Sequence, residues 1–292
     1  MTTAPPGTAP PILLISPDGM LGHAFELLLK ERGLDYAGVS WPAFDLTRPQ
    51  TVEPWLRGGV RTVLNCSAYT DVDGAEIHEA EATAVNGAGV ALVASLCRRL
   101  GAVLVHFSTD YVFDGRATSP YGVDHPISPV NAYGRSKAAG EKAIRESGCE
   151  HLVVRTSWLY APWAKNFVLT MLALGRDKTF LRVVDDQVGR PTSAQYLAAR
   201  SLALIERGAR GTFHVTDGGS CSWHGLASAV IAASGSSCRV DPCTSEEFPR
   251  PAARPAYSVL DLSATEALLG PSTDWHENVA AVLAEYRAGQ AT

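Results

Sequence analysis

The sequence predicts an α/β fold in which a doubly wound parallel sheet is followed by a smaller C-terminal domain, and three observations carry that reading. Short apolar runs alternate with helical stretches from Ile12 to about Trp158. The first run passes straight into a glycine turn, Ser16-Pro17-Asp18-Gly19-Met20-Leu21-Gly22. Beyond Trp158 the alternation loses its regularity. Strands that alternate with helices form a parallel sheet with helices on both faces, joined by right-handed crossovers. The expected division is a disordered tail at 1–10, a sheet domain at 11–160, and a second unit at 161–292, part of which returns to pack on the first.

The totals narrow the class of partner. A chain of 292 residues has ample core for one large domain or two modest ones. Its net charge of -5 and pI near 5.9 argue against a nucleic-acid or anionic-membrane surface, so the expected partner is a small molecule. No apolar run approaches the roughly 18 to 20 residues that span a bilayer. The start, Met1 to Pro10, lacks a basic segment followed by an apolar one, which reads as a tail on a cytoplasmic protein. The six cysteines, Cys66, Cys97, Cys149, Cys221, Cys238 and Cys243, are too dispersed for a disulfide framework. Only Cys238 and Cys243 are close, and no histidine pair accompanies them, so no metal site is expected.

Taken in order, Ile12-Leu13-Leu14-Ile15 is the first strand, and a helical pattern runs from the glycine turn to Gly33. Gly19, Met20, Leu21 and Gly22 would aim backbone N–H groups and the positive end of that helix at a phosphate. Ser16 stands where the usual fingerprint has its first glycine. A second strand covers Tyr36-Ala37-Gly38-Val39, and Ser40 follows where NAD-selecting enzymes commonly carry an acid. With no acid at Ser40, and no arginine between Ala37 and Thr47, weak discrimination between NADH and NADPH is expected. Asp45 is either a cofactor contact near the adenine or a helix cap.

Arg61-Thr62-Val63-Leu64-Asn65-Cys66 is a third strand, after which Ser67, Ala68 and Tyr69 would let a dinucleotide lie across the strand end. Ala80 to Leu100 is helical and stops at Gly101. Asn86 inside it needs a partner, either as a satisfied core amide or as a backbone clamp beside the next strand.

That next strand, Ala102-Val103-Leu104-Val105-His106-Phe107, delivers Ser108 and Thr109 to a strand's carboxyl end, where open α/β sheets bind ligands. If Ala132 to Ile144 is helical, Tyr133 and Lys137 share one face. An ammonium beside a phenol, whose free pKa is about 10, would lower it toward the range useful to a general acid. Alone, this spacing describes an ordinary exposed helix pair; beside the strand-end hydroxyls it reads as catalytic. Thr109 would hold a substrate oxygen.

His151 to Trp158 is a further strand. Beyond it, Asn166-Phe167-Val168, the stretch Asp185 to Thr192 and Arg250 to Pro255 are rich in the polar and proline punctuation of ligand-holding loops. Ser222 reads as a helix cap and Trp223 as core. The last residues, Ala288 to Thr292, are expected to fray.

Together these residues resemble the extended short-chain dehydrogenase/reductases, and among them the dTDP-4-dehydrorhamnose reductase family. The carriers are Asn65 to Asp73, Val85-Asn86, Ser108 to Gly115, the Tyr133/Lys137 pair, Arg155 to Trp158, Asn166 to Val168, Asp186 to Thr192 and Arg254-Pro255. The resemblance implies a Rossmann-type dinucleotide domain with a smaller nucleotide-sugar domain. It implies reduction of a dTDP-4-keto-6-deoxyhexose by NADPH or NADH, as in the last step of dTDP-L-rhamnose synthesis. It assigns Thr109, Tyr133 and Lys137 to catalysis, with Lys137 also holding the nicotinamide ribose, and Trp158 and Arg254 to the sugar nucleotide. Asp110, Tyr111, Asn166 and Gln187 join them on that side. Some members form a metal-linked dimer through a glutamate just after the Pro-Thr pair; Gln195 holds that place, so a homodimer is entertained and the metal is not.

Three rival activities follow from the same fold. Dehydratases of this superfamily carry Asp-Glu directly after the threonine, whereas this chain has Asp110-Tyr111. An epimerase and a non-catalytic dinucleotide-binding subunit are the other two, the latter suggested by Ser16.

Overall fold

Four aliphatic residues, Ile12–Ile15, open the sheet, and every later strand of it takes its place by parallel pairing. In the computed structural model, which describes residues 11–290, six parallel strands lie in the order Gly211–His214, His151–Thr156, Val103–Thr109, Thr62–Asn65, Ile12–Ile15 and Tyr36–Val39. The tail expected at 1–10 lies outside the described residues. From Ile12–Ile15 the chain goes first to one side, to Tyr36–Val39, and then to the other, to Thr62–Asn65. This reversal parts the loops at the carboxyl ends of the strands and leaves a crevice there.

Alternate residues of the strands point to opposite faces, so both faces need cover. Leu13, Ile15, Val63, Leu104 and Val153 pack with Val90, Val93, Ala94 and Cys97 of the Val90–Leu100 helix. On the other face Leu14, Leu64, Val105 and Val154 meet Leu21, Phe25 and Leu29 of the Met20–Glu31 helix, with Ala194, Leu197 and Ala198 of the Ala194–Glu206 helix. That helix and the Gly211–His214 strand both come from the C-terminal half of the chain. A third core joins the Phe167–Asp177, Trp223–Ser234 and Trp275–Gln290 helices through Met171, Leu172, Leu226, Val230 and Trp275. Beside it Phe180–Val184 pairs in parallel with Arg239–Cys243.

The helix expected from Ala80 is continuous over Glu79–Leu100, with a π-helical turn at Ala84–Gly89. Its 22 residues and mean hydropathy of 1.3 do reach the length and apolarity of a membrane span, contrary to the sequence expectation. Half of its most apolar stretch is buried within the protein, where the helix covers the sheet as a core element. Its π turn places Asn86 against the Ala132–Ser147 helix, where Asn86 Nδ2 donates to Ser136 Oγ at 2.9 Å.

Candidate active site

The Val103–Thr109 strand ends inside the crevice, and Thr109 caps the short turn Asp110–Val112 that follows. The Thr109 hydroxyl accepts from Tyr111 N at 3.1 Å and donates to Asp110 Oδ1 at 2.9 Å. Burial pushes the Asp110 carboxyl up to about 6, with the Ser258 and Thr109 hydroxyls drawing it back. Facing this corner is the Ala132–Ser147 helix, capped by Asn131, whose side chain accepts from Gly134 N. A Cβ on Gly134 would lie 2.2 Å from Tyr111 O, and one on Gly140 would lie 2.2 Å from Asn86 O. Both glycines let the helix press against the strand end and the π turn, which brings Tyr133 and Lys137 into the same cleft as Thr109.

The Tyr133–Lys137 geometry corrects one expectation. Lys137 is 2% exposed, and its ammonium donates to Phe107 O at 2.6 Å and lies 3.3 Å from His106 Nε2. Among the described residues no hydrogen bond joins it to Tyr133. Burial lowers Lys137 to about 8, with the Glu141 carboxylate opposing. Burial pushes the Tyr133 phenol above its ordinary range, and Asp110 adds to the rise; a hydrogen bond with the Thr109 hydroxyl opposes both. The reason is local. A buried ammonium must have an acceptor, and the Phe107 carbonyl is the one this strand end supplies.

The strand end is itself held from behind. Although burial would raise the Glu141 carboxyl, Arg155 binds it in bidentate fashion at 2.8 and 2.9 Å, with Ser108 Oγ at 2.6 Å, and holds it below the usual carboxylate range. Asn65 Oδ1 accepts from Ser67 N, and its amide lies 3.2 Å from His106 Nδ1, which ties the cleft floor to the buried Lys137.

At the opposite side of the cleft, Ser16 adopts φ +61°, the left-handed backbone its missing glycine would take without strain. A Cβ on Gly22 would fall 1.8 Å from Ser16 O, so only glycine lets the helix approach this turn. Gly19 caps the helix without a side-chain bond, and Met20 and Leu21 line the cleft. The uncapped amides and the close backbone fit a pyrophosphate. Ser67 and Ala68 line the same cleft, whose volume is about 650 Å³.

Several residues expected in the site stand outside this lining because their polar groups are engaged elsewhere. Asp45 Oδ1 accepts from Thr47 N and Oγ1 and its carboxylate pairs with Arg48 at 3.3 Å, the local turn role. Asn86 holds Tyr69 by both backbone groups at 2.9 and 3.0 Å, the clamp. Asn166 caps the Phe167–Asp177 helix through Leu169 N and donates to Ala161 O. Gln187 donates to Ser245 Oγ and accepts from Trp223 Nε1 at 3.2 Å. Ser40 lies outside the lining as well, and donates to Asp18, which is within it.

On the remaining wall, Trp158 takes φ +46° and stacks on Trp223 with ring centres 3.6 Å apart. Arg254 donates to Asp73 Oδ1 at 3.0 Å and lies over the Tyr111 ring at 6.0 Å. Trp158, Asp110, Tyr111 and Arg254 line the cleft, and Trp223, read from sequence as core, lines it too. No local pattern marks Trp223, since its place depends on Trp158, which is 65 positions away in sequence. Asp18, Asn65, Thr70 and Val72 line the cleft as well. Among the described residues no cluster of three or more histidine, cysteine or acidic side chains could hold a metal.

A strand-end threonine, a Tyr-x-x-x-Lys helix across from it and a glycine turn at the sheet's reversal define the class of extended short-chain dehydrogenase/reductases. Within that class the chain belongs to the RmlD substrate binding domain family, which matches residues 11–288. It is 40% identical to a dTDP-4-dehydrorhamnose reductase of Mycobacterium tuberculosis over 95% of this chain and 94% of the other. It is 38% identical to the dTDP-4-keto-6-deoxy-D-glucose reductase of Streptomyces niveus, covering 88% and 91%. A solved structure of the Bacillus anthracis dTDP-4-dehydrorhamnose reductase in complex with NADP superposes with a TM-score of 0.89 at 33% identity, over 95% and 99% of the two chains.

Proposed function

We propose that this chain reduces the C4 keto group of a dTDP-4-keto-6-deoxyhexose with NADPH or NADH, in the synthesis of dTDP-L-rhamnose or a related deoxysugar. The observation that carries the proposal is the meeting of Thr109, Tyr133 and the uncapped glycine turn in one cleft. When bound against Gly19, Met20, Leu21, Gly22, Ser67 and Ala68, the reduced dinucleotide supplies the hydride. Thr109 orients the keto oxygen, and Tyr133 gives its proton to that oxygen as charge develops there. Lys137 would hold the nicotinamide ribose. Trp158, Trp223 and Arg254 hold the sugar nucleotide; the guanidinium suits a diphosphate and the indoles suit a pyrimidine or sugar face.

The same proposal divides the labour, with residues 11–160 holding the dinucleotide and 161–292 mainly the nucleotide sugar. It places the protein in the cytoplasm, without a membrane or nucleic-acid partner. The test is dinucleotide oxidation in the presence of several dTDP-4-keto-6-deoxy sugars, followed by product analysis. Stoichiometric formation of the 4-hydroxy sugar is expected. Oxidation with none of them, while the folded protein still binds dinucleotide, would favour the non-catalytic subunit; sugar inversion without net oxidation would favour an epimerase.

A further inference from the structure

The end of the second strand looks neutral in sequence, because Ser40 stands there. The fold brings an acid to it from elsewhere. Asp18, in the glycine turn, lines the cleft, and its Oδ1 accepts a 2.5 Å hydrogen bond from Ser40 Oγ across 22 positions of sequence. Ile15 and Val39 are paired in register immediately before these loops, so the juxtaposition is built by the sheet. Ser40 engages one carboxylate oxygen and leaves the other able to accept. Among the described residues no cation forms an ion pair with Asp18: Lys30 is paired with Glu26 at 3.1 Å and Arg48 with Asp45 at 3.3 Å. The cations that line the cleft are Lys137, bonded to Phe107 O, and Arg254, bonded to Asp73.

We infer that the Asp18–Ser40 pair selects NADH over NADPH. In dinucleotide folds of this kind, a carboxylate at the end of the second strand accepts from the adenosine ribose 2'-hydroxyl and repels a 2'-phosphate. Here the carboxylate comes from the glycine turn, and Ser40 is the positioning residue that holds it at that strand end. Ser40 alone would give weak discrimination; the paired carboxylate supplies the preference. The inference rests on the dinucleotide-binding part of the proposed function.

Equilibrium titration of the full chain with NADH and with NADPH, read by fluorescence and without sugar substrate, tests it. The wild-type protein should bind NADH at least about tenfold more tightly, as a solvent-facing carboxylate near a phosphate implies. That ratio should shrink as salt is raised, because exposed charges are screened. Asp18→Asn keeps an acceptor for Ser40 and removes the charge, so it should tighten NADPH and bring the ratio close to one. Ser40→Ala should lower the ratio less. Equal or tighter wild-type binding of NADPH overturns the inference, as does an unchanged ratio in Asp18→Asn; both leave the reductase reading standing. Binding of neither dinucleotide by folded protein would instead remove the proposed function itself.

Discussion

Tyr133 is the only acid proposed for the reaction, and Tyr133→Phe keeps its ring and its edge-on contact with Tyr111. Turnover should fall by at least about 10²-fold, the usual scale of general acid catalysis. Lys137→Met should be at least as harmful and should also raise KM for the dinucleotide, whereas Thr109→Val should fall between wild type and Tyr133→Phe. Steady-state kinetics on the three folded variants decides the matter, and near wild-type turnover by Tyr133→Phe would leave the mechanism without its proton donor. Asp110 offers a test by pH. Its carboxyl is raised to about 6 by burial, so the folded chain keeps the proton longer than the unfolded chain does. Its contribution to stability is complete below about pH 4, the unfolded value, and is lost as pH rises through 6. Asp110→Asn removes this dependence. Urea titrations at pH 4 and pH 7 should show the variant gaining on the wild type by on the order of 2 kcal/mol; a constant difference would mean that Asp110 is not raised.

Two elements position those residues, and each depends on a close approach. The Ala132–Ser147 helix meets the π turn at Gly140, where a Cβ would lie 2.2 Å from Asn86 O. An alanine in an exposed helix would gain about 1 kcal/mol over glycine. Gly140→Ala should instead lose about 1 to 3 kcal/mol, the cost of overpacking, with a lower urea midpoint; a gain would show that the two helices are not locked. In the glycine turn, Ser16 holds φ +61°, a conformation that disfavours any side chain by about 1 kcal/mol. Ser16→Gly should raise the melting temperature modestly without weakening dinucleotide binding. A lower melting temperature would mean that the serine side chain supports the turn. The clamp at Asn86 and the Glu141–Arg155 ion pair act on the same two elements, so buried polar groups support the cleft from below.

At the scale of the molecule, the two halves of the chain meet along the cleft. Trp158 follows the fifth strand, and Trp223 opens a helix of the C-terminal core, yet they stack face to face. Trp223→Ala should raise KM for the dTDP-sugar about tenfold or more while leaving the dissociation constant for dinucleotide unchanged. Equal effects on both ligands would show a general collapse of the cleft. The sheet itself is completed by Gly211–His214, so the C-terminal half contributes to the parallel sheet as well as to the other wall of the cleft.

What the sequence by itself determined is what depends on neighbours in the chain. Apolar runs such as Ile12–Ile15 and Val103–Thr109 are strands because their residues are buried on both faces. The turn from Ser16 to Gly22, and the i, i+4 spacing of Tyr133 and Lys137, follow from backbone sterics and helical period alone. Only the tertiary structure decided which polar groups remained available to the cleft. Asn166 and Gln187 look like ligand contacts until their partners, Leu169, Ala161, Ser245 and Trp223, are seen. Lys137 faces Phe107 O because the strand end offers a buried ammonium that acceptor, and no helical wheel contains it. Asp18 meets Ser40 because the first two strands pair in parallel and release both loops on the same side. Local periodicity sets where an element runs, whereas sheet order and burial set which distant side chains meet, and the chemistry of this cleft depends on both.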